Sequence, residues 1–401
     1  MSIARRALAG AAMLILAAPA VTRAQDTAKT VKVVTPALDF SGVIFGNYGY
    51  KTDSAAKAGL GGQNPNGFNI DRVYLTFRMP VGDHASIRAT TDIFNGDQSS
   101  ASYYKGWTVR LKYGYLQYVL PDLGDVKGMN LTGHIGMLHT VLIDHEELFW
   151  PRYLSQVATD RNGFFSSADL GVAGLLTLPN KWGEIYGTVV NGNGYTAAES
   201  DRFKDFALRV TFTPLAEQEM MDGYFKTFAI SPWFSKGYAG SKFASGGTGQ
   251  TGAVTDALTK DRWGVFVGNR DRRLTFGAEY GNAKTASEGG ANTFANPRTV
   301  AEANGQLISA FAIVRPFEWA DAKQKSQFGV LGRIDQYKPN TNSSSTSTNT
   351  SSSYDRFIIG GVFWELTPKV TLSLDYQGRT PQSGSSNVDQ TTYFLHWVAN
   401  F

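Results

Sequence analysis

The chain has 401 residues with 38 Lys and Arg against 34 Asp and Glu, a formal charge of +4, and it contains 43 Gly, 13% aromatic residues and no Cys. The absence of cysteine excludes a disulfide framework, a thiolate metal site and a cysteine nucleophile. The near balance of charge gives no support to a nucleic-acid partner.

Residues 1–24 read as a signal peptide. Arg5 and Arg6 form a basic n-region, Leu8 to Ala18 an apolar h-region, and small residues lead to cleavage after Ala24, with Ala20 as the alternative. The stretch is too short and wrongly flanked for a membrane-spanning helix, so export is expected. Loss of Arg5, Arg6 and Arg23 takes the formal charge from +4 to +1. No other apolar run approaches 20 residues. Helical spans are thereby excluded, and an all-β protein remains, either a sandwich or a membrane barrel.

Beyond a short N-terminal segment at 25–37, period-two alternation marks the strands. Val73, Leu75, Phe77 and Met79 share one face, and Arg72, Thr76 and Arg78 the other. Trp107, Val109, Leu111, Tyr113 and Tyr115 stand against Arg110 and Lys112. Leu274, Phe276, Ala278 and Tyr280 oppose Arg273, Thr275 and Glu279, and Val370, Leu372, Leu374 and Tyr376 oppose Ser373 and Asp375. Sixteen strands are predicted, beginning near Leu38, Phe68, Ala85, Gly106, Met129, Phe164, Lys181, Phe203, Tyr224, Lys260, Arg272, Asn304, Gln327, Tyr354, Val370 and Thr391. The twelfth, "QLISAFAIVRPFEW", is apolar on both faces and also fits a soluble-type core strand.

Connection lengths alternate. "PNK", "NRDR" and "TPK" are short, whereas Lys51 to Gly67, "GSKFASGGTGQTGAVTDALTK", "NAKTASEGGANTFANPRT" and the Ser/Thr/Asn tract from Thr341 to Ser353 are long. Pro80, Pro121, Pro179, Pro214, Pro316 and Pro368 lie at the short links, where a missing backbone donor ends pairing. This parity, with an even strand count, predicts an all-β fold: a transmembrane antiparallel β-barrel over residues 38–401, with short periplasmic turns and long extracellular loops. Tyr48, Tyr50, Trp107, Trp182, Tyr195, Trp263, Tyr280, Trp319 and Trp397 cluster near strand ends, as headgroup-level girdles require.

Parity also predicts the wall of the lumen. Arg72, Arg78, Arg88, Arg110, Lys112, Arg209, Arg262, Arg273, Arg333 and Arg356 fall on the polar face, against Asp92, Asp205, Glu279, Asp335 and Asp375. Such a wall favours anions unless its charges merely brace neighbouring strands. The third long connection, Thr140 to Gly163, is rich in aromatic and aliphatic residues. It is expected to fold inward, presenting Asp144, Glu146, Glu147, Arg152 and Arg161 to the channel; the alternative is a surface loop packed on a trimer neighbour. His139 and His145 flank Asp144 and Glu146, but "HEELF" lacks the second histidine of a zinc protease motif, and no metal or other cofactor is expected. No Gly-x-Ser-x-Gly elbow is present, and Ser166 and Ser167 have no obvious base.

The series "NIDRVYLTFRMPVGDHASIRATTDIF", "YGYLQYVLP", "GHIGMLHT", "DHEELFW", "RNGFFSSADLGVAGLL" and "EIYGTVVNGNGY", from Asn69 to Tyr195, resembles the phosphate-selective porin (porin O/P-like) family. The resemblance implies a sixteen-stranded barrel in a Gram-negative outer membrane, usually trimeric. The ending "TTYFLHWVANF", with Tyr393, Leu395, Trp397 and Phe401 on one face, resembles the terminal-phenylalanine signal recognised by barrel-assembly machinery. The expectation is a non-enzymatic, passive diffusion channel for small hydrophilic solutes. A non-conducting adhesion barrel and, behind it, a barrel hydrolase are the alternatives.

Overall fold

The computed structural model describes residues 38–96, 106–199, 201–219, 223–243, 254–289, 299–321, 325–341, 354–381 and 389–401. The expected signal peptide, the segment at 25–37, the Ser/Thr/Asn tract beyond Thr341 and the loops through 244–253 and 290–298 lie outside the described residues.

Sixteen strands succeed one another along the chain. They are β1 (Asp39–Lys51), β2 (Asn66–Pro80), β3 (Ala85–Asn95), β4 (Trp107–Leu120), β5 (Asn130–His139), β6 (Ala168–Thr177), β7 (Gly183–Val190) and β8 (Asp205–Phe212). The second half comprises β9 (Ala229–Phe243), β10 (Val254–Arg270), β11 (Leu274–Gly289), β12 (Thr299–Val314), β13 (Phe328–Lys338), β14 (Tyr354–Thr367), β15 (Val370–Pro381) and β16 (Gln390–Asn400). Each pairs antiparallel with its chain neighbours, and β1 pairs with β16, so the sheet closes. Closure leaves no edge, which is the condition for a sheet to stand in hydrocarbon. At the seam, Gly42 and Phe401 exchange both backbone hydrogen bonds at 2.9 Å. The Phe401 ring occupies the space a Cβ on Gly42 would need, 2.4 Å away, so a larger residue there would have to displace the ring.

The two faces have inverted polarity. Outside, Val109 (62%), Leu374 (59%), Ile135 (57%) and Val362 (52%) are exposed, while Asp92, Lys112, Arg209, Glu279 and Asp335 are buried within. So large an apolar exterior suits lipid rather than water. In β16, Tyr393, Leu395 and Phe401 are exposed and Trp397 half-buried, with His396 and Val398 facing inward.

Several expectations change. The pairing of β3 with β4 shifts between Thr90 and Thr91, where Lys112 is the extra residue. A bulge puts two successive residues on one side, so Lys112 and then Tyr113 and Tyr115 are all buried within, and the two tyrosines leave the predicted lipid face. A second shift at Tyr354/Arg356 leaves Arg356 exposed, with Phe357 and Ile359 turned inward. Two links carrying a proline, 213–228 and 315–327, are longer than the other turns at their end, and Tyr224 lies in the first of them rather than in β9.

The third long connection packs inside the barrel. Ile143, Trp150, Leu154 and Val157 form one cluster with Leu331, Phe357, Ile359 and Phe363 of β13 and β14, with Phe311 and Ile313 of β12 against it. Val141, Leu142 and Ala158 join Trp233, Ala283 and Leu307 in another. This accounts for the two-sided apolarity of β12: its inner face serves the loop and its outer face joins the apolar exterior. Wall groups also bind the loop backbone. Arg209 Nε donates to the Val141 carbonyl at 2.6 Å, Arg333 Nη1 to that of Gln156 at 2.8 Å, and Gln377 Nε2 to that of Leu154 at 3.0 Å.

Beneath the loop, Glu146 faces Glu279 of β11, and Thr159 Oγ1 donates to Glu146 Oε2 at 2.6 Å. The Oε1 atoms of both glutamates are buried and find no donor among the described residues, and two facing buried carboxyls favour keeping a proton on one of them. Burial pushes the Glu146 carboxyl up to about 7, against the opposing hydrogen bonds from Glu279 and Thr159 and the Arg333 charge, while Asp160 raises it further.

Replacing Trp150, which is fully buried, by Ala is expected to remove about 3–5 kcal/mol of packing. Hydrogen exchange on the folded barrel should then show the segment 143–157 losing protection while the strands keep theirs. Because the folded Glu146 pKa is raised, its contribution to docking is complete below the ordinary carboxyl range and is lost as pH rises through about 7. Exchange of the same segment should accelerate over that interval, and Glu146→Gln should remove the pH dependence.

Candidate conduction path

Docking on β10–β14 fills one side of the barrel and leaves the side of β1–β7 open. Three cavities adjoin the loop, the first two against the open side and the third against β10–β15. Near the long loops a space of about 430 Å³ is bordered by Arg72, Arg110, Tyr195, Asp205 and Lys260. A middle cavity of about 410 Å³ touches Tyr74, Arg88, Lys112 and Tyr113. Toward the short turns a third, of about 300 Å³, is bordered by Arg270, Arg315 and Glu365. Arg152 borders the first two, and Glu147, Tyr153 and Thr371 border the last two, so the spaces adjoin in series alongside the loop. A larger space of about 820 Å³, around Arg272, Phe317 and Phe328, lies at the short-turn rim and shares Glu365 with the third.

The basic residues divide between the two sides. Arg72 and Arg110 share the buried carboxylate of Asp92, at 3.7 Å and 2.8 Å. The Arg110 guanidinium lies 4.1 Å from the Phe94 centroid and 4.6 Å from that of Tyr195. Tyr195 therefore stands in the lumen rather than in a lipid-facing girdle. Lower on the same wall, Arg88 Nε donates to Thr90 Oγ1 at 3.1 Å, and the Lys112 ammonium rests 4.5 Å from the Tyr74 centroid. Neither has a carboxylate within salt-bridge distance among the described residues. Arg78, half-exposed at the end of β2, lies 3.7 Å from Asp39.

The others do not face the open side. Arg209 pairs with Glu184 at 2.7 Å besides holding the loop. Arg333 and Arg161 both bind Asp335 beneath the loop, Arg333 at 2.8 Å. Arg262 is buried, donating to the carbonyls of Asp261 and Lys284 at 3.0 Å. Arg273 leaves the predicted wall: it sits in the turn before β11, bound to Asp271 at 2.8 Å and 4.5 Å from the Tyr224 centroid.

Of the loop residues, Arg152 is bound by Glu147 at 3.1 Å and by Asp160. Burial pushes the Glu147 carboxyl up, opposed by Lys112 and Arg152. Asp144 accepts from Tyr113 at 2.6 Å and contacts His139 Nδ1. Although burial opposes it, the His139 charge and hydrogen bond, with Lys112 and Tyr113, hold Asp144 well below the usual carboxylate range. Every acidic group of the loop is thus engaged. Parity reasoning passes over Tyr74, whose place opposite Val73 and Leu75 already implies the inner face, and Tyr113, which the bulge conceals.

No family model matches the chain, and no curated protein matches it. Among solved structures it is similar to OmpF of Salmonella typhi, determined with daunomycin, at 12% identity and a TM-score of 0.59, over 91% of this chain and 97% of that one. The anion-selective porin from Comamonas acidovorans is similar at 10% identity and TM-score 0.57, over 91% and 100%. The outer-membrane channel DcaP of Acinetobacter baumannii gives 10% and 0.54, over 91% and 97%. What is shared at such identities is the closed sixteen-stranded barrel.

Proposed function

We propose that the chain is an outer-membrane porin of a Gram-negative-type bacterium, a homotrimer through which small hydrophilic solutes diffuse passively, with a preference for anions. The observation that carries this reading is the series of adjoining cavities whose β2–β4 wall bears Arg72, Arg88, Arg110 and Lys112, with Arg78 exposed at the end of β2. Among the described residues the acidic groups on that wall are Asp92, which two arginines already share, and Asp71, which accepts from Asn47 at 2.8 Å. The loop carboxylates are engaged by Arg152, His139, Tyr113, Thr159 and Glu279. A surplus of fixed positive charge therefore faces the water, and fixed charge in a narrow aqueous path selects its counter-ions.

The likeness to an anion-selective porin supports the same reading. The resemblance to phosphate-selective porins adds an expectation of phosphate-like solutes. Export by the leader at 1–24 and insertion by barrel-assembly machinery through the ending at Phe401 complete the proposal.

Reconstituted in a planar bilayer, the protein should give steady single-channel conductance and an anion-selective reversal potential in a salt gradient. Neutralising Arg72, Arg110 and Lys112 together should move the potential toward cations, each charge contributing up to about fivefold in the permeability ratio. Neutralising Arg262 should move it far less. A folded barrel without conductance would sink the channel and favour the adhesion reading, whereas cation selectivity would sink the anion preference alone.

A further inference from the structure

Within the middle cavity one group stands out. Lys112 is only 4% exposed, yet its ammonium has neither hydrogen bond nor salt bridge among the described residues and rests on the rings of Tyr74 and Tyr113, at 4.5 Å and 5.2 Å. A buried ammonium carries three donors, and leaving them without acceptors is unfavourable. The Arg88 guanidinium lies 4.6 Å from the same Tyr113 ring and likewise has no carboxylate partner among the described residues. The buried Tyr74 hydroxyl also has no partner. Two cations and a phenol thus converge on one space without a carboxylate to meet them among the described residues. Arg88 is held only by Thr90 and His139 at 3.1 Å and Tyr115 at 3.5 Å.

Two further features narrow the ligand. Arg88, Lys112 and Arg152 border the cavity with Asp144 and Glu147, a balance of one positive charge. A monoanion neutralises it, whereas a dianion overshoots and brings its oxygens toward two carboxylates. The remaining wall is apolar: Phe45, Tyr74 and Val398 form a cluster against which Val43 and Tyr153 pack. Sites for small organic ligands combine such an apolar surface with a few convergent polar groups.

We propose that Lys112, Arg88 and the Tyr74 hydroxyl form a binding site for a small monocarboxylate with a flat apolar body, held at the loop-narrowed part of the lumen. This rests on the channel reading and names the solute class that the site takes. The carboxylate receives hydrogen bonds from Lys112, Arg88 and Tyr74, and the apolar body lies against Phe45 and Val398.

The test uses the full barrel and sodium benzoate as the probe, with acetate and inorganic phosphate beside it. In a planar bilayer benzoate should interrupt the chloride current in a concentration-dependent way, at lower concentration than either comparison anion. Lys112→Gln should raise the half-blocking concentration about tenfold or more, the loss of a hydrogen bond to a charged group. Tyr74→Phe, which keeps the ring, should raise it roughly threefold and serves if the lysine variant does not fold. Stronger block by phosphate overturns the ligand class, and block unchanged in the variants overturns the site. Calorimetric titration of benzoate into the detergent-folded barrel separates the two proposals. A barrel that binds benzoate through Lys112 but passes no current refutes the channel and keeps the site. One that conducts but does not bind benzoate refutes the site alone.

Discussion

Backbone pairing across the seam between β1 and β16 is the constraint on which everything else depends. Hydrocarbon supplies no hydrogen-bond partner, so every donor and acceptor of a spanning sheet must be met within the chain. Antiparallel neighbours meet all of them except at the first and last strands, and the pairing from Val43↔Asn400 to Lys51↔Thr392 removes that exception. Once the sheet is closed, period-two alternation assigns each residue to lipid or lumen. The polar side chains then have no choice but to gather inside.

A closed barrel of this size still has an interior too wide for side chains alone to fill, and the third loop resolves this on one side only. Its apolar residues find a matching wall on β12–β14, where Phe311, Leu331, Phe357 and Ile359 turn inward at positions that other strands give to polar groups. Arg333 of that wall, and Arg209 of β8, are thereby consumed in holding the loop. The arginines of β2–β4 meet no such partner and remain beside water. The division of cations into structural and channel-facing sets is decided by where the loop lies, not by the residues themselves.

Much of this is legible in the chain. Strand number and most strand starts can be read from alternation and from proline placement, because a lipid-facing strand tolerates few polar residues on its outer face. The unusual apolarity of Thr140 to Gly163 is readable for a similar reason: such a loop needs a surface to cover. Alternation cannot disclose single-residue insertions. The extra residue at Lys112 and the shift beside Arg356 leave composition unchanged while reversing the face taken by the next residues of the strand. Nor can it tell Arg333 from Arg88, since both lie on polar-face positions and differ only in what the loop covers. Tyr195 escapes it because a loop tyrosine and a girdle tyrosine look alike until Arg110 is seen between it and Phe94.

The off-centre seating of the loop separates two kinds of demand that most channels combine in the same residues. Groups on β8 and β10–β15 hold the loop in place, and groups on β2–β4 line the space it leaves open. Substitutions on the open wall therefore leave the docking of the loop intact, so the chemistry of that space can change with little penalty in folding.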